Sequence, residues 1–178
     1  MLAKKLTDRL RLLPLNMAEV IDVGILIYDQ EIRAMCEMNR CGRYGRAWNC
    51  PPDVGSLEEL AAKCGAYNNG LLFNTVTMLE DSFDIEGMMA AGAGLHEILV
   101  EIDGILAREF QLNDYLLLGA GSCGACESCA HPDPCRHPDK LHIPVEACGV
   151  NVVNLAKNTG FNYNNGPNTV TFFGLLLF

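Results

Sequence analysis

The hydrophobic pattern of the chain alternates between the period of a helix and that of a strand. Leucines between positions 2 and 13 recur three or four residues apart and end at Pro14, which predicts an amphipathic helix. Residues 20–28 are apolar and β-branched, so they predict a buried strand. Ser56 and Glu59 form a capping box, which predicts that a short helix begins there and ends at Gly65.

The rest of the chain shows the same alternation. Runs rich in leucine, β-branched and aromatic residues predict three more strands, at residues 71–78, 115–118 and 169–178. Apolar positions at helical spacing predict a helix over residues 95–106, and the acidic run at 80–86 is expected to cap a helix or to face water. Pro144 suits the first position of a last helix, which runs to about Lys157 with Gly160 beyond its end.

Because strands and helices interleave, we predict an α/β or α+β fold. A chain of 178 residues has the size of one domain, so residues 1–178 are expected to form a single domain. Its core would be a mixed sheet of about four to five strands flanked by helices. Two cysteine-rich, metal-binding loops follow predicted strand ends, where sites are usually built on a rigid scaffold.

The composition is that of an ordinary globular protein, with 49% hydrophobic and 20% charged residues. Neither a signal peptide nor an apolar run of about 18 residues is visible, so we expect a cytoplasmic protein. The net charge of −9 repels phosphate backbones and anionic lipids, which argues against nucleic acid and membrane as partners. In a reducing compartment, nine cysteines indicate metal binding rather than disulfides.

Four cysteines late in the chain have the spacing of a metal site. They form the second cysteine group, which consists of Cys123, Cys126, Cys129 and Cys135. Three thiolates spaced two residues apart are typical of chains that wrap a cubane, so a 4Fe-4S cluster is the leading prediction. Zinc is the alternative, although its four tetrahedral ligands usually come from two separate Cys-x2-Cys knuckles. Three nearby histidines could also serve as zinc ligands, so zinc stays an alternative metal. They are His131, His137 and His142.

A looser set of cysteines lies earlier in the chain. This first cysteine group consists of Cys36, Cys41 and Cys50, and Pro51 and Pro52 direct the thiol of Cys50. Three ligands leave one position of a cluster unfilled, either for a fourth ligand or for a substrate at an open iron. Cys148 is the candidate fourth ligand because a thiolate is favoured near a helix N-terminus. The alternative for Cys148 is a small buried core thiol, and we assign Cys64 to the core.

Basic and aromatic side chains flank the two cysteine groups. The candidate cofactor-binding residues among them are Arg40, Arg43, Arg46, Trp48 and Arg136. Guanidinium groups would compensate an anionic four-thiolate cluster and raise its potential, or they would bind a small anionic ligand. The alternative is a solvated basic loop, because charge runs usually lie on the surface.

These motifs carry a resemblance to a known family. They include Trp-Asn-Cys-Pro-Pro at 48–52 and Cys-Gly-Ala-Cys-Glu-Ser-Cys at 123–129. The chain resembles a prokaryotic family of predicted metal-binding proteins of unknown function over residues 36–52, 121–129, 135–138, 146–152 and 170–174. The resemblance implies that the seven cysteines of the two groups are the ligands. It also implies a relation to proteins common in anaerobes, which suits oxygen-sensitive clusters.

The sequence leaves three functional hypotheses open. The leading one is an iron-sulfur protein with one or two 4Fe-4S clusters, a redox or electron-transfer role and an unknown redox partner. The first alternative is a zinc-stabilised binding module without redox chemistry. The second is an iron-sulfur enzyme whose open iron acts on a small anionic substrate.

Overall fold

A mixed sheet of five strands forms the centre of the structure, which is a computed structural model that describes residues 1–178. The strands are β1 (Met17–Asp22), β2 (Asn69–Met78), β3 (Leu116–Gly119), β4 (Ile143–Pro144) and β5 (Thr169–Leu177). Their order across the sheet is β1-β2-β5-β3-β4. All neighbours are antiparallel except β3 and β4, which pair in parallel. The prediction of an α+β fold with a mixed sheet is confirmed.

Five helices cover the two faces of this sheet. They are α1 (Leu2–Leu10), α2 (Gln30–Glu37), α3 (Leu57–Gly65), α4 (Ile85–Ile105) and α5 (Val152–Thr159). Side chains alternate along β2, so Leu72 joins one core with Leu60 of α3 and Leu155 of α5. Phe73 joins the opposite core with Ile102 of α4. None of the helices combines the length and the apolar character that crossing a membrane requires.

The predicted strand over residues 20–28 is wrong beyond Asp22, where β1 ends. The carboxylate of Asp22 accepts a hydrogen bond from the backbone N–H of Gly24 at 2.7 Å, and a 3₁₀ turn, Val23–Ile25, follows. Such a local side-chain bond competes with the ladder of a sheet. The next element, α2, has no counterpart among the predicted elements. Asp29 caps its start, and the Asp29 carboxylate accepts from the N–H of Glu31 at 2.8 Å.

The predicted helix over residues 144–157 is also wrong in its first half. Pro144 lies in β4, and a 3₁₀ turn, Val145–Cys148, follows it. Gly149 then takes a positive φ of 74°, a conformation that favours glycine. The helix α5 begins only at Val152, where the side chain of Asn151 accepts from the N–H of Asn154 at 3.1 Å.

Capping residues define the starts of α3 and α4. The capping box of α3 is confirmed, since Ser56 and Glu59 exchange side-chain to backbone hydrogen bonds at 2.8 and 3.1 Å. Asp84 caps α4 through the N–H of Gly87 at 2.8 Å, which confirms that the acidic run caps a helix. This helix therefore begins ten residues before the predicted helix at 95–106 and includes Gly87, Gly92 and Gly94 ahead of that stretch.

The two cysteine groups lie in two irregular segments. The first loop, residues 38–56, connects α2 to α3, and Cys36 precedes it in the last turn of α2. The second loop, residues 120–142, connects β3 to β4 and contains one short 3₁₀ turn, Pro138–Lys140. Parallel strands are usually joined by a helix, so a cysteine-rich loop takes the place of that helix here.

Candidate metal centres

All four cysteines of the second cysteine group line one small cavity between the second loop and the first. The other residues around it are Trp48, Asn49, Ala125, Ala130, Arg136 and Leu141. Each of the four cysteines is half-buried. The loop therefore presents four soft donors around a single space that apolar side chains partly close.

The charges of these thiols interact with one another. Burial raises the pKa of the Cys123 thiol, and nearby thiolates at Cys135, Cys126 and Cys129 raise it further, while the backbone N–H of Ala125 opposes the shift. Like charges this close disfavour ionisation of Cys123. A bound cation would offset this repulsion, since metal ligation releases the thiol protons.

The first cysteine group also comes together in the structure. Cys50 is buried, Cys36 is half-buried and Cys41 is exposed. Burial raises the pKa of Cys50 to about 11, and the charges of Cys41 and Cys36 contribute to the rise, while Arg43 opposes it. The charge of Cys123 also acts on Cys50, so the two cysteine groups are neighbours.

Direct hydrogen bonds join the first loop to the second. The indole Nε1 of Trp48 donates to the carbonyl of Asp133 at 2.8 Å. The amide Nδ2 of Asn49 donates to the carbonyl of His142 at 3.0 Å and to that of Gly121 at 3.4 Å. Nε2 of His131 lies 3.2 Å from a carboxylate oxygen of Asp53 in the first loop, and the His131 ring lies 4.9 Å from that of Trp48. The two loops therefore form one unit.

Replacing Asn49 by alanine is expected to destabilise this unit. Asn49 is 1% exposed, and the substitution leaves the buried carbonyl of His142 without its donor. An unpaired buried polar group costs about 1–3 kcal/mol, and we expect a loss of that size in the free energy of unfolding. Urea denaturation measures it, with the exposed Asn113→Ala as control. Equal denaturation midpoints for the two variants would show that Asn49 does not join the loops.

The arginines near the first loop differ in burial. Arg40, Arg43, Arg46 and, in the second loop, Arg136 are exposed, and none of these four forms an ion pair. They are free to compensate an anionic cluster or to contact an anion, and both roles stay predictions. Arg33 is buried instead, and its guanidinium donates to the carbonyls of Ala147 and Gly55.

Cys148 lies in the hydrophobic core together with Cys64, and both are 0% exposed. The neighbouring Cys64 thiol and burial raise the pKa of Cys148. The helix N-terminus invoked to favour its thiolate is absent, because α5 begins at Val152. The position therefore corresponds to the alternative, a small buried thiol, and the placement of Cys64 in the core is as predicted.

Two polar side chains of α4, Asp103 and His96, lie next to His142 of the second loop. The hydrophobic pattern of the sequence predicts only that they lie on the polar side of a helix. Asp103 contacts His142 at 2.8 Å and accepts from the hydroxyl of Tyr115, also at 2.8 Å. The ring of His96 lies 5.6 Å from that of His142. No local sequence signal links these residues, because Asp103 and His142 are 39 positions apart.

The thiols do not yet converge at bonding distance. No group of three or more His, Cys, Asp or Glu side chains has donor atoms placed to hold a metal ion. The four donors of the second cysteine group nevertheless surround one cavity, and thiolates suit zinc and iron-sulfur clusters. By its chemistry the donor set therefore fits such a group, and the choice of cysteines as ligands stays a prediction.

The fold and the site together define an α+β domain with two neighbouring cysteine-rich loops, which are the candidate metal centres. The chain is a member of the family described as predicted metal-binding protein (DUF2284), whose model matches residues 19–178. Comparison with curated proteins and with solved structures found no match. The family thus establishes the predicted metal-binding class.

Proposed function

We propose that the protein binds a 4Fe-4S cluster through the second cysteine group and transfers electrons. The observation that carries this proposal is that all four thiols of the group line one small cavity. When bound, such a cluster supplies a centre that exchanges single electrons. The spacing of three cysteines by two residues supports a cubane over zinc, which usually takes its ligands from two separate knuckles.

The surroundings of the cavity support a redox role. Trp48, Ala130 and Leu141 line it and would limit the access of water, which controls the potential of a metal site. Arg136 also lines the cavity, and its guanidinium donates to the carbonyl of Ser128 at 3.3 Å within the same loop. A positive charge at this position would compensate an anionic cluster and raise its potential.

The first cysteine group would hold a second cluster beside the first. Cys50 and Cys123 are close enough for their charges to interact, and Trp48 of the first loop lines the cavity of the second. Two neighbouring clusters would pass electrons between them and on to a separate redox partner. The nine free cysteines suit a protein of the reducing cytoplasm.

Purification without oxygen tests this proposal. We expect a brown protein whose visible absorption is bleached by dithionite, with equal amounts of iron and acid-labile sulfide. One cluster corresponds to about four irons per chain, and two correspond to about eight. Cys64→Ala is the matched control, because Cys64 lies in the core outside both cysteine groups.

A colourless protein that contains only zinc would overturn the proposal. It would instead support the zinc-stabilised binding module, and chelation should then unfold the chain. About four irons in place of eight would indicate one cluster per chain rather than two.

A further inference from the structure

A chain of three hydrogen-bonded side chains leads from the sheet to His142. The hydroxyl of Tyr115, just before β3, donates to Oδ1 of Asp103 on α4 at 2.8 Å. The other carboxylate oxygen of Asp103 lies 2.8 Å from Nε2 of His142. Because a carboxylate accepts hydrogen bonds, it places the ring proton on Nε2. The neutral ring then has its lone pair on Nδ1.

That Nδ1 atom is buried and has no hydrogen-bond partner. His142 is only 7% exposed, so water does not solvate the atom freely. An unpaired buried polar atom costs about 1–3 kcal/mol, and most such atoms in proteins have a partner. A histidine with one nitrogen on a carboxylate and the other unpaired has the arrangement of a metal ligand, whose second nitrogen donates to an outer carboxylate.

His142 also lies where the two cysteine groups meet. It lines a small cavity with Asn49, His96 and Cys123. Its carbonyl accepts from Nδ2 of Asn49, and the Oδ1 atom of the same Asn49 side chain lies 3.5 Å from the sulfur of Cys50. Through Asn49, the buried His142 is therefore joined to Cys50 of the first cysteine group, which has one ligand fewer than a cluster needs.

We propose that Nδ1 of His142 is the fourth ligand of the first centre, beside Cys36, Cys41 and Cys50. Asp103 and Tyr115 are positioning residues that fix the tautomer and the orientation of the ring. This inference rests on the proposed function, in which the first cysteine group holds an iron-sulfur cluster. Imidazole in place of a thiolate removes one negative charge and raises the reduction potential of a cluster.

Pulsed electron paramagnetic resonance of the dithionite-reduced protein tests the ligand directly. We expect the wild type to show strong hyperfine coupling to a directly bound ¹⁴N nucleus, and His142→Ala to lose it. His137→Ala is the matched control, since His137 lies in the same loop and has no side-chain hydrogen bond at its turn. Asp103→Asn should keep the coupling and shift the reduction potential, which a purely structural role would not do.

Cysteine variants identify the centre to which the nitrogen belongs. Cys50→Ala should remove the nitrogen coupling together with the first cluster, whereas Cys126→Ala should leave it. If the coupling survives Cys50→Ala and disappears in Cys126→Ala, the assignment to the first centre is wrong. If the wild type holds its clusters without any nitrogen coupling, the inference fails and the proposed function stands.

Loading with Co²⁺ separates this inference from the iron proposal. If no iron-sulfur cluster forms, the proposed function is wrong, and the Co²⁺ protein still reports on the ligand. Its visible absorption should change in His142→Ala and stay constant in His137→Ala. Identical Co²⁺ spectra in all three proteins would overturn the assignment of His142. His142→Gln, which keeps a polar side chain of similar size, replaces the alanine variant if that variant does not fold.

Discussion

Replacing Cys123 by alanine is expected to abolish metal binding at the second centre, the largest effect of any single substitution in the loops. Cys123 is the thiol whose charge interacts with the other three of its group, and its side chain lines the central cavity. Changes outside the ligand shell of a metal already cost about 10–100-fold in affinity, so loss of a ligand should exceed about 100-fold. Iron and sulfide analysis with visible absorption measures the loss.

Cys64→Ala provides the control for this variant. It also removes a thiol, but Cys64 lies on α3 in the hydrophobic core, together with Cys148 of the Val145–Cys148 turn. We expect it to keep its full iron content and to lose only stability. If Cys123→Ala binds as much iron and sulfide as Cys64→Ala, the second cysteine group is not the metal site.

Replacing Arg33 by methionine is expected to destabilise the fold strongly. The buried guanidinium donates to the carbonyls of Ala147 and Gly55, so one side chain connects α2 to the turn before α5 and to the end of the first loop. Hydrogen bonds to a charged group contribute roughly 1.5–3 kcal/mol each, so the loss of two should cost about 3–6 kcal/mol. Methionine preserves the apolar stem, which makes the lost polar contacts the main change.

Urea denaturation of the metal-free protein measures this effect without the contribution of a cluster. Arg40→Met is the matched control, because Arg40 is an exposed arginine in the first loop and forms no ion pair. Surface substitutions of this kind usually stay within about 0.5 kcal/mol. An Arg33→Met midpoint equal to that of Arg40→Met would show that the two carbonyl contacts do not stabilise the chain.

The elements that the sequence predicts correctly are those whose signals are strong and local. The strands β2 and β5 are long apolar runs, and the capping box of α3 lies within four residues. The helix α2 escapes prediction because it is short and mostly exposed, with Arg33 as its one buried residue. Pro144 is ambiguous because proline suits both the first turn of a helix and the edge of a sheet, and β4 is an edge strand.

In the candidate site, too, local features can be predicted from the sequence and long-range contacts cannot. Cysteine spacing is a local property of the chain, so the amino-acid sequence alone is enough to recognise the two groups. The contact between the groups depends on Asn49 and Trp48 reaching a loop more than 70 residues away, which no periodicity encodes. The pairing of Asp103 with His142 is likewise a product of how α4 crosses β3, and only the fold reveals which of three histidines is buried.

The parallel pairing of β3 with β4 has a consequence for how tightly the second loop can bind. Leu118 pairs with Ile143 and Gly119 with Pro144, so the sheet brings the two ends of the loop together before any ligand arrives. The entropy of closing the loop is then lost in folding and not in binding. Four thiols confined in this way would act at a high effective concentration on a metal, so the pairing of the two strands would preorganise the proposed site.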